Sequence, residues 1–133
     1  MTIKESAGVE HQTLVKALID KFVNDGLVIV KAAYEGYDEP YKIERHKPDI
    51  IAKDSNTDII FIGEAKLCDD LASDRTKEQF EDFSSRVMTE GRCKGAPVPF
   101  HIVVPKNCPD DVVLVLAKLR LGDKSNIKVW KRG

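Results

Sequence analysis

Three features of the sequence predict an α/β fold with a mixed central sheet flanked by helices. Amphipathic segments of helical period alternate with short β-branched runs. Two of those runs are joined by turn formers, Asp54-Ser-Asn-Thr57. One run is apolar on both faces, which is the pattern of a central strand and requires helices on either side of the sheet. The order reads α-β-β-β-α-β-α-β: an αβββαβ core with a C-terminal helix and strand added. At 133 residues the chain is predicted to form one domain, residues 1–133.

The first helix is expected over Ala7 to Asn24. Val9, Leu14, Val15, Leu18, Ile19, Phe22 and Val23 recur at three- and four-residue spacings, Ser6 is placed to cap the start, and Gly26 stands just past the end. Leu27 to Ala33 is β-branched and short, hence a strand. Tyr34 to Arg45, with Gly36, Pro40 and three tyrosines, reads as a loop or irregular hairpin. The runs Asp49–Lys53 and Asp58–Lys66 flank the turn formers as a β-hairpin, the second with Ile60 and Ile62 on one face and Ile59, Phe61, Gly63 and Ala65 on the other.

Ser73 or Asp74 caps a second helix expected to run to about Glu90, with Phe80, Phe83, Val87 and Met88 on its inner stripe and Gly91 as its stop. His101–Val104 is a short strand ended by Pro105. Pro109-Asp-Asp opens a third helix that Gly122 ends, and Asn126–Trp130 is the last strand.

Composition narrows the function. With 42% hydrophobic and 32% charged residues the chain has the makeup of a soluble globular domain. Twenty-one Lys and Arg against 22 Asp and Glu give a net charge of −1, so any phosphate-binding surface must be local. Cys68, Cys93 and Cys108 lack a C-x-x-C pair, which suggests neither a zinc knuckle nor a disulfide framework and points to a reducing, cytoplasmic setting. The longest apolar run, Val112–Ala117, is far too short for a membrane span, and the N-terminus lacks the apolar core of a signal peptide.

Polar residues stand where a buried sheet would carry hydrophobic ones: Asp49 behind Pro48 at one strand start, and Glu64 and Lys66 at the end of the neighbouring strand. Glu64 and Lys66 share a face by the two-residue period of a strand. Pairing of Asp49 with either Ile62 or Glu64 puts its carboxylate on that face too. Two carboxylates at that distance repel, and a hard divalent cation resolves the repulsion. The expected cofactor is Mg2+, with Mn2+ as a substitute, and the lysine is placed to orient water or to neutralise charge developing on a phosphate. A surface salt-bridge cluster is the ordinary alternative, contributing little.

Pro48-Asp49, fourteen intervening residues, then Glu64-Ala65-Lys66 at a strand end within αβββαβ resembles the PD-(D/E)xK nuclease superfamily, over roughly residues 7 to 105. The resemblance implies a restriction-endonuclease-like fold of the RecB-like and Holliday-junction-resolvase-like kind. It also implies metal ligation by Asp49 and Glu64 and a catalytic role for Lys66. Two further positions resemble accessories of that family. Glu10 stands where many members carry a metal-facing acid in the first helix, and Gln79 opens a Q-x-x-x-Y pattern in which Phe83 replaces the tyrosine, so that packing is the role expected of Phe83. His11, His46 and His101 are too scattered to read as a metal set, and His101 reads as a satisfied core or rim histidine.

Lys42, Arg45, His46, Lys47, Arg75 and Lys77 flank the motif and are the expected DNA-phosphate contacts, with the loops Tyr34–Arg45 and Gly91–Pro99 beside the substrate. The function implied is a metal-dependent DNA endonuclease serving repair, recombination, restriction or mobile-element defence. A homodimer is compatible with cutting two strands. The alternative is a catalytically inactive module on the same fold that binds nucleic acid or a protein. A third class, a small-ligand α/β module, lacks the glycine-rich phosphate loop it would need, because every glycine is isolated.

Overall fold

A computed structural model describes residues 3–108 and 112–132. In chain order the elements are α1 (Ile3–Asn24), β1 (Val28–Ala32), β2 (Ile50–Lys53), β3 (Ile60–Ala65), a 3-10 turn (Cys68–Asp70), α2 (Asp74–Ser84), β4 (Phe100–Pro105), α3 (Val112–Lys118) and β5 (Ile127–Arg132). The five strands form one mixed sheet in the order β1-β2-β3-β4-β5. The first two pairings are antiparallel and the last two parallel.

Two apolar clusters sandwich that sheet. On one face α1 lays Leu14, Val15, Leu18, Ile19 and Phe22 over Ile50, Ala65 and Val103. On the other, Phe80 and Phe83 of α2 and Val112 and Leu116 of α3 cover Ile62, Phe100 and Ile102. Phe83 is fully buried, its ring edge-on to Phe100 with centroids 5.6 Å apart, so it packs as expected. Alternation along β3 feeds both clusters, which is why its four last residues are all buried. Gly63 is required there: a Cβ would stand 2.8 Å from Leu18 Cδ2 and 3.0 Å from Phe22 Cε2. Its bare backbone lets α1 sit against the sheet.

Several boundaries differ from expectation. α1 begins at Ile3, so Ser6 lies inside the helix and does not cap it. Its far end closes as expected: Gly26 has φ 88°, its N–H donates to Val23 and that of Leu27 to Phe22. α2 is capped by Ser73, whose side chain accepts from the Thr76 N–H, but it stops at Ser84 and not near Glu90. The Ser84 and Ser85 hydroxyls both donate to the Glu81 carbonyl, and the following residues turn into extended pairing, Met88 N–H to Ala96 O at 2.8 Å and Val98 N–H to Arg86 O at 2.9 Å. Met88 is buried by that pairing, while Val87 points outward at 44% exposure. The expected opening of the third helix at Pro109-Asp-Asp lies outside the described residues. The helix ends at Lys118, with Arg120 rather than Gly122 in the left-handed conformation.

The cysteines are the largest correction. Cys68 and Cys108, just past the ends of the parallel neighbours β3 and β4, form a disulfide with Cα atoms 5.0 Å apart, and Cys93 is free. Their separation of 40 residues hid a pairing that only the strand register creates. Among the described residues, no helix is long and apolar enough to cross a membrane.

Candidate active site

The hairpin register decides where the motif residues meet. The turn is set by Asp54, whose side chain accepts from the Asn56 N–H at 2.9 Å, and by Thr57, which accepts from Ile59. Ile50 then pairs with Gly63, so Asp49, one residue before β2, comes opposite Glu64. Of the two registers the sequence allowed, this is the one that brings the carboxylates directly together.

Each carboxylate is anchored to the other strand. Glu64 Oε1 accepts from the Asp49 N–H at 3.1 Å, and Asp49 Oδ2 accepts from the Ala65 N–H at 2.8 Å. Glu64 is 2% exposed, and its second oxygen, Oε2, is buried without a hydrogen-bond partner. The nearest cation to it is the Lys66 ammonium at 3.8 Å, beyond hydrogen-bonding range. Lys66 is itself buried and donates to Gln79 Oε1 on α2. Burial, together with the neighbouring Asp49 charge and hydrogen bond, pushes the Glu64 carboxyl well above its ordinary range. Burial pushes Asp49 upward as well, but the hydrogen bonds with His11 and Glu64 outweigh it and leave that carboxyl below its usual value. Of the two, Glu64 is the one whose charged form is disfavoured, by its burial and by the Asp49 charge beside it.

A fifth member of the site is His11, whose spacing from the other histidines set it aside as a metal ligand. His11 Nε2 of α1 lies 3.2 Å from Asp49 Oδ2, and that bond raises the imidazole pKa against the opposing effect of burial. Glu10 is exposed on the wall of a surface cleft with Val9, Thr13, Leu67 and Arg132. The signal for His11 lay in the helix period: positions 22, 18, 15 and 11 form one inward row, which the imidazole extends past the apolar stripe to the end of the sheet. Among the described residues no group of three or more His, Cys, Asp or Glu side chains is arranged to hold a metal ion. The candidate ligand set is thus the Asp49 and Glu64 pair.

The basic residues around the site are partly engaged already. Arg45 grips the buried Asp82 carboxylate from its side chain, at 2.8 Å, and also from its backbone N–H. It reaches Glu78 at 3.6 Å, and His46 meets the same Glu78 at 2.9 Å. These contacts brace the loop onto α2, across a tight turn in which Glu44 takes φ 57° between the bridged Ile43 and His46. Lys47 pairs with Glu39 and Lys77 with Asp74 through exposed contacts of 3.2 and 3.9 Å, which cost little to exchange for a phosphate. Lys42 and Arg75 are exposed, and among the described residues neither has an ion-pair partner. His101 is buried on β4, accepting at Nδ1 from Trp130 Nε1 at 2.9 Å, and takes no part in the site.

The chain matches no family model, no curated protein and no solved structure.

Proposed function

We propose that the protein is a divalent-metal-dependent endonuclease of PD-(D/E)xK type on a restriction-endonuclease-like fold, hydrolysing phosphodiester bonds in DNA. The observation that carries the reading is Glu64 Oε2: a carboxylate oxygen buried without a partner, beside a second carboxylate held by the strand register. A purely structural acid in that position would cost stability and return nothing. A cation accepting oxygen from both Asp49 and Glu64 removes the cost, and Mg2+ or Mn2+ suits a site that offers two carboxylates and leaves other positions to water and phosphate oxygen.

The residues fit the group in chemistry, since both ligands are hard oxygen donors fixed by backbone N–H groups. When bound, the cation supplies Lewis-acid polarisation of the phosphate and a lowered pKa for attacking water. Asp49 and Glu64 hold and orient that charge. Lys66, aimed by Gln79 along the same face as Glu64, positions the water and offsets negative charge as it develops on the phosphate. His11 holds the same Asp49 oxygen, Oδ2, that accepts from the Ala65 N–H, which leaves Oδ1 to the cation. Lys42 and Lys47 of the loop before β2 and Arg75 and Lys77 of α2 supply the phosphate contacts, and Arg45 and His46 brace that loop onto the helix.

The test is Mn2+ binding by calorimetry on the wild type, Asp49→Asn and Glu64→Gln, beside cleavage of plasmid, single-stranded and four-way-junction DNA. Binding lost in both variants and cleavage lost also in Lys66→Met support the reading. A wild type that binds no metal leaves a binding module on this fold.

A further inference from the structure

We propose that the Cys68–Cys108 disulfide is a redox-sensitive clamp on the Lys66–Gln79 pair, so that reduction of the bond lowers activity at the site; the regulatory half of this inference rests on the nuclease reading. The bond joins the two segments that leave the sheet directly after β3 and β4. Lys66 is the last residue of that parallel pair to be held by the sheet, its N–H donating to Val103 O at 3.0 Å, and Cys68 follows two residues later. Beyond Lys66 the sheet no longer fixes the chain, and the disulfide takes over.

From Cys68 a short chain of contacts leads back to the ammonium. Cys68 opens the 3-10 turn, in which Asp70 N–H donates to Leu67 O at 3.1 Å and Leu71 N–H to Cys68 O at 3.4 Å. The Asp70 carbonyl that this turn presents accepts two hydroxyls, Ser73 Oγ at 3.0 Å and Thr76 Oγ1 at 2.6 Å. Those two side chains form the cap of α2, with Ser73 Oγ accepting the Thr76 N–H at 3.1 Å. Gln79 stands three residues after Thr76, on the same face of the helix, and accepts from Lys66 Nζ. The disulfide therefore fixes both approaches to the pair: the chain leaving Lys66, and the turn that seats the helix carrying Gln79.

The chemistry is thiol–disulfide exchange with a dithiol. One thiolate of the dithiol attacks a sulfur of the bond and forms a mixed disulfide, releasing the other cysteine as a thiol. The second thiolate then closes the dithiol's own disulfide and releases the remaining cysteine. Two electrons and two protons pass to Cys68 and Cys108. Both cysteines are half-buried, so a small dithiol can reach them. Once the bond is open, the 3-10 turn is tethered on one side only, the α2 cap loosens and Gln79 no longer holds the ammonium in one place.

The experiment compares oxidised protein with protein reduced by dithiothreitol, together with Cys68→Ser and Cys108→Ser. Thiol titration should count only Cys93 before reduction and all three cysteines after it. Amide hydrogen exchange should rise about tenfold at residues 74 to 79 while β4 stays protected. DNA cleavage should fall about tenfold through kcat with KM little changed, and both serine variants should sit at the reduced level under either condition. Three free thiols in the oxidised wild type, unchanged exchange in α2, or exchange that rises equally in β4 overturns the clamp. Cleavage unaffected by reduction overturns its control of the site. Absence of cleavage in both forms refutes the nuclease reading instead, and exchange still decides the clamp.

Discussion

Asp49 and Glu64 are tied to each other's strands, Glu64 Oε1 to the Asp49 N–H and Asp49 Oδ2 to the Ala65 N–H, so neither carboxylate can turn away from the other. The register thus enforces a repulsion that ordinary packing would relieve. Removing it should stabilise the metal-free protein. Glu64→Gln keeps the shape and the acceptor for Asp49 N–H while deleting the ionisable group, and should raise stability by about 1–3 kcal/mol as it abolishes Mn2+ binding. Urea unfolding with and without chelator checks this. A destabilised variant would mean that the acid is structural.

Metal affinity should rise with pH. The Glu64 carboxyl is held above its ordinary value of 4.5 by burial and by Asp49, so at moderately acid pH the cation must displace a proton to bind. Without metal the same group contributes stability that is fully present below 4.5 and is lost as pH rises through its folded value. Calorimetry in two buffers of different ionisation enthalpy should show proton release on Mn2+ binding to the wild type. Equal apparent enthalpies in the two buffers would contradict a protonated Glu64.

Gln79→Leu should separate binding from chemistry. The substitution removes the acceptor of Lys66 Nζ but neither carboxylate, so Mn2+ affinity should be kept within a few-fold while kcat drops about 10- to 100-fold. Single-turnover cleavage at saturating metal reads the difference. A loss of metal binding of the same size would assign Gln79 to the carboxylates and not to the lysine.

Gly63→Ala should loosen α1 from the sheet. The added methyl would meet Leu18 Cδ2 at 2.8 Å and Ile50 Cβ at 3.2 Å, both in the packed layer under the helix. Overpacking of this kind costs about 1–3 kcal/mol, read as a lower urea midpoint. Because α1 also carries His11, the variant should weaken the site as well as the fold.

The element order, the hairpin and the shared face of Asp49, Glu64 and Lys66 were legible because they follow from local rules: period two in strands, turn chemistry at Asp54–Thr57, and an apolar stripe on each helix. What escaped depended on tertiary placement. Cys68 and Cys108 pair only because β3 and β4 run parallel and end together. Both Glu10 and His11 fall near the inner row of α1, and which of them reaches Asp49 depends on how the helix crosses the sheet. The end of α2 was misjudged because Met88 is buried by strand-like pairing with Ala96, which a helical reading of apolar spacing imitates.

His101 should give the fold an acid-sensitive step. Burial, followed by the nearby Lys128 charge, pushes its pKa down from 6.5 to about 4, with Nδ1 kept as an acceptor for Trp130. A histidine depressed in the folded state is protonated first in the unfolded chain, so its contribution is complete above 6.5 and declines as pH falls toward 4. The gap between 6.5 and about 4 caps that loss at about 3 kcal/mol. His11 and Glu64 act in the opposite sense, since both have raised values and gain from added protons, so the wild-type profile alone mixes the signs. Subtracting the profile of His101→Phe isolates the histidine. That variant leaves the Trp130 N–H without its acceptor and should be less stable at neutral pH. The difference between wild type and variant should then shrink steadily as pH falls from 6.5 to 4. A constant difference across that interval would mean that His101 titrates normally and that its ring is reached by water.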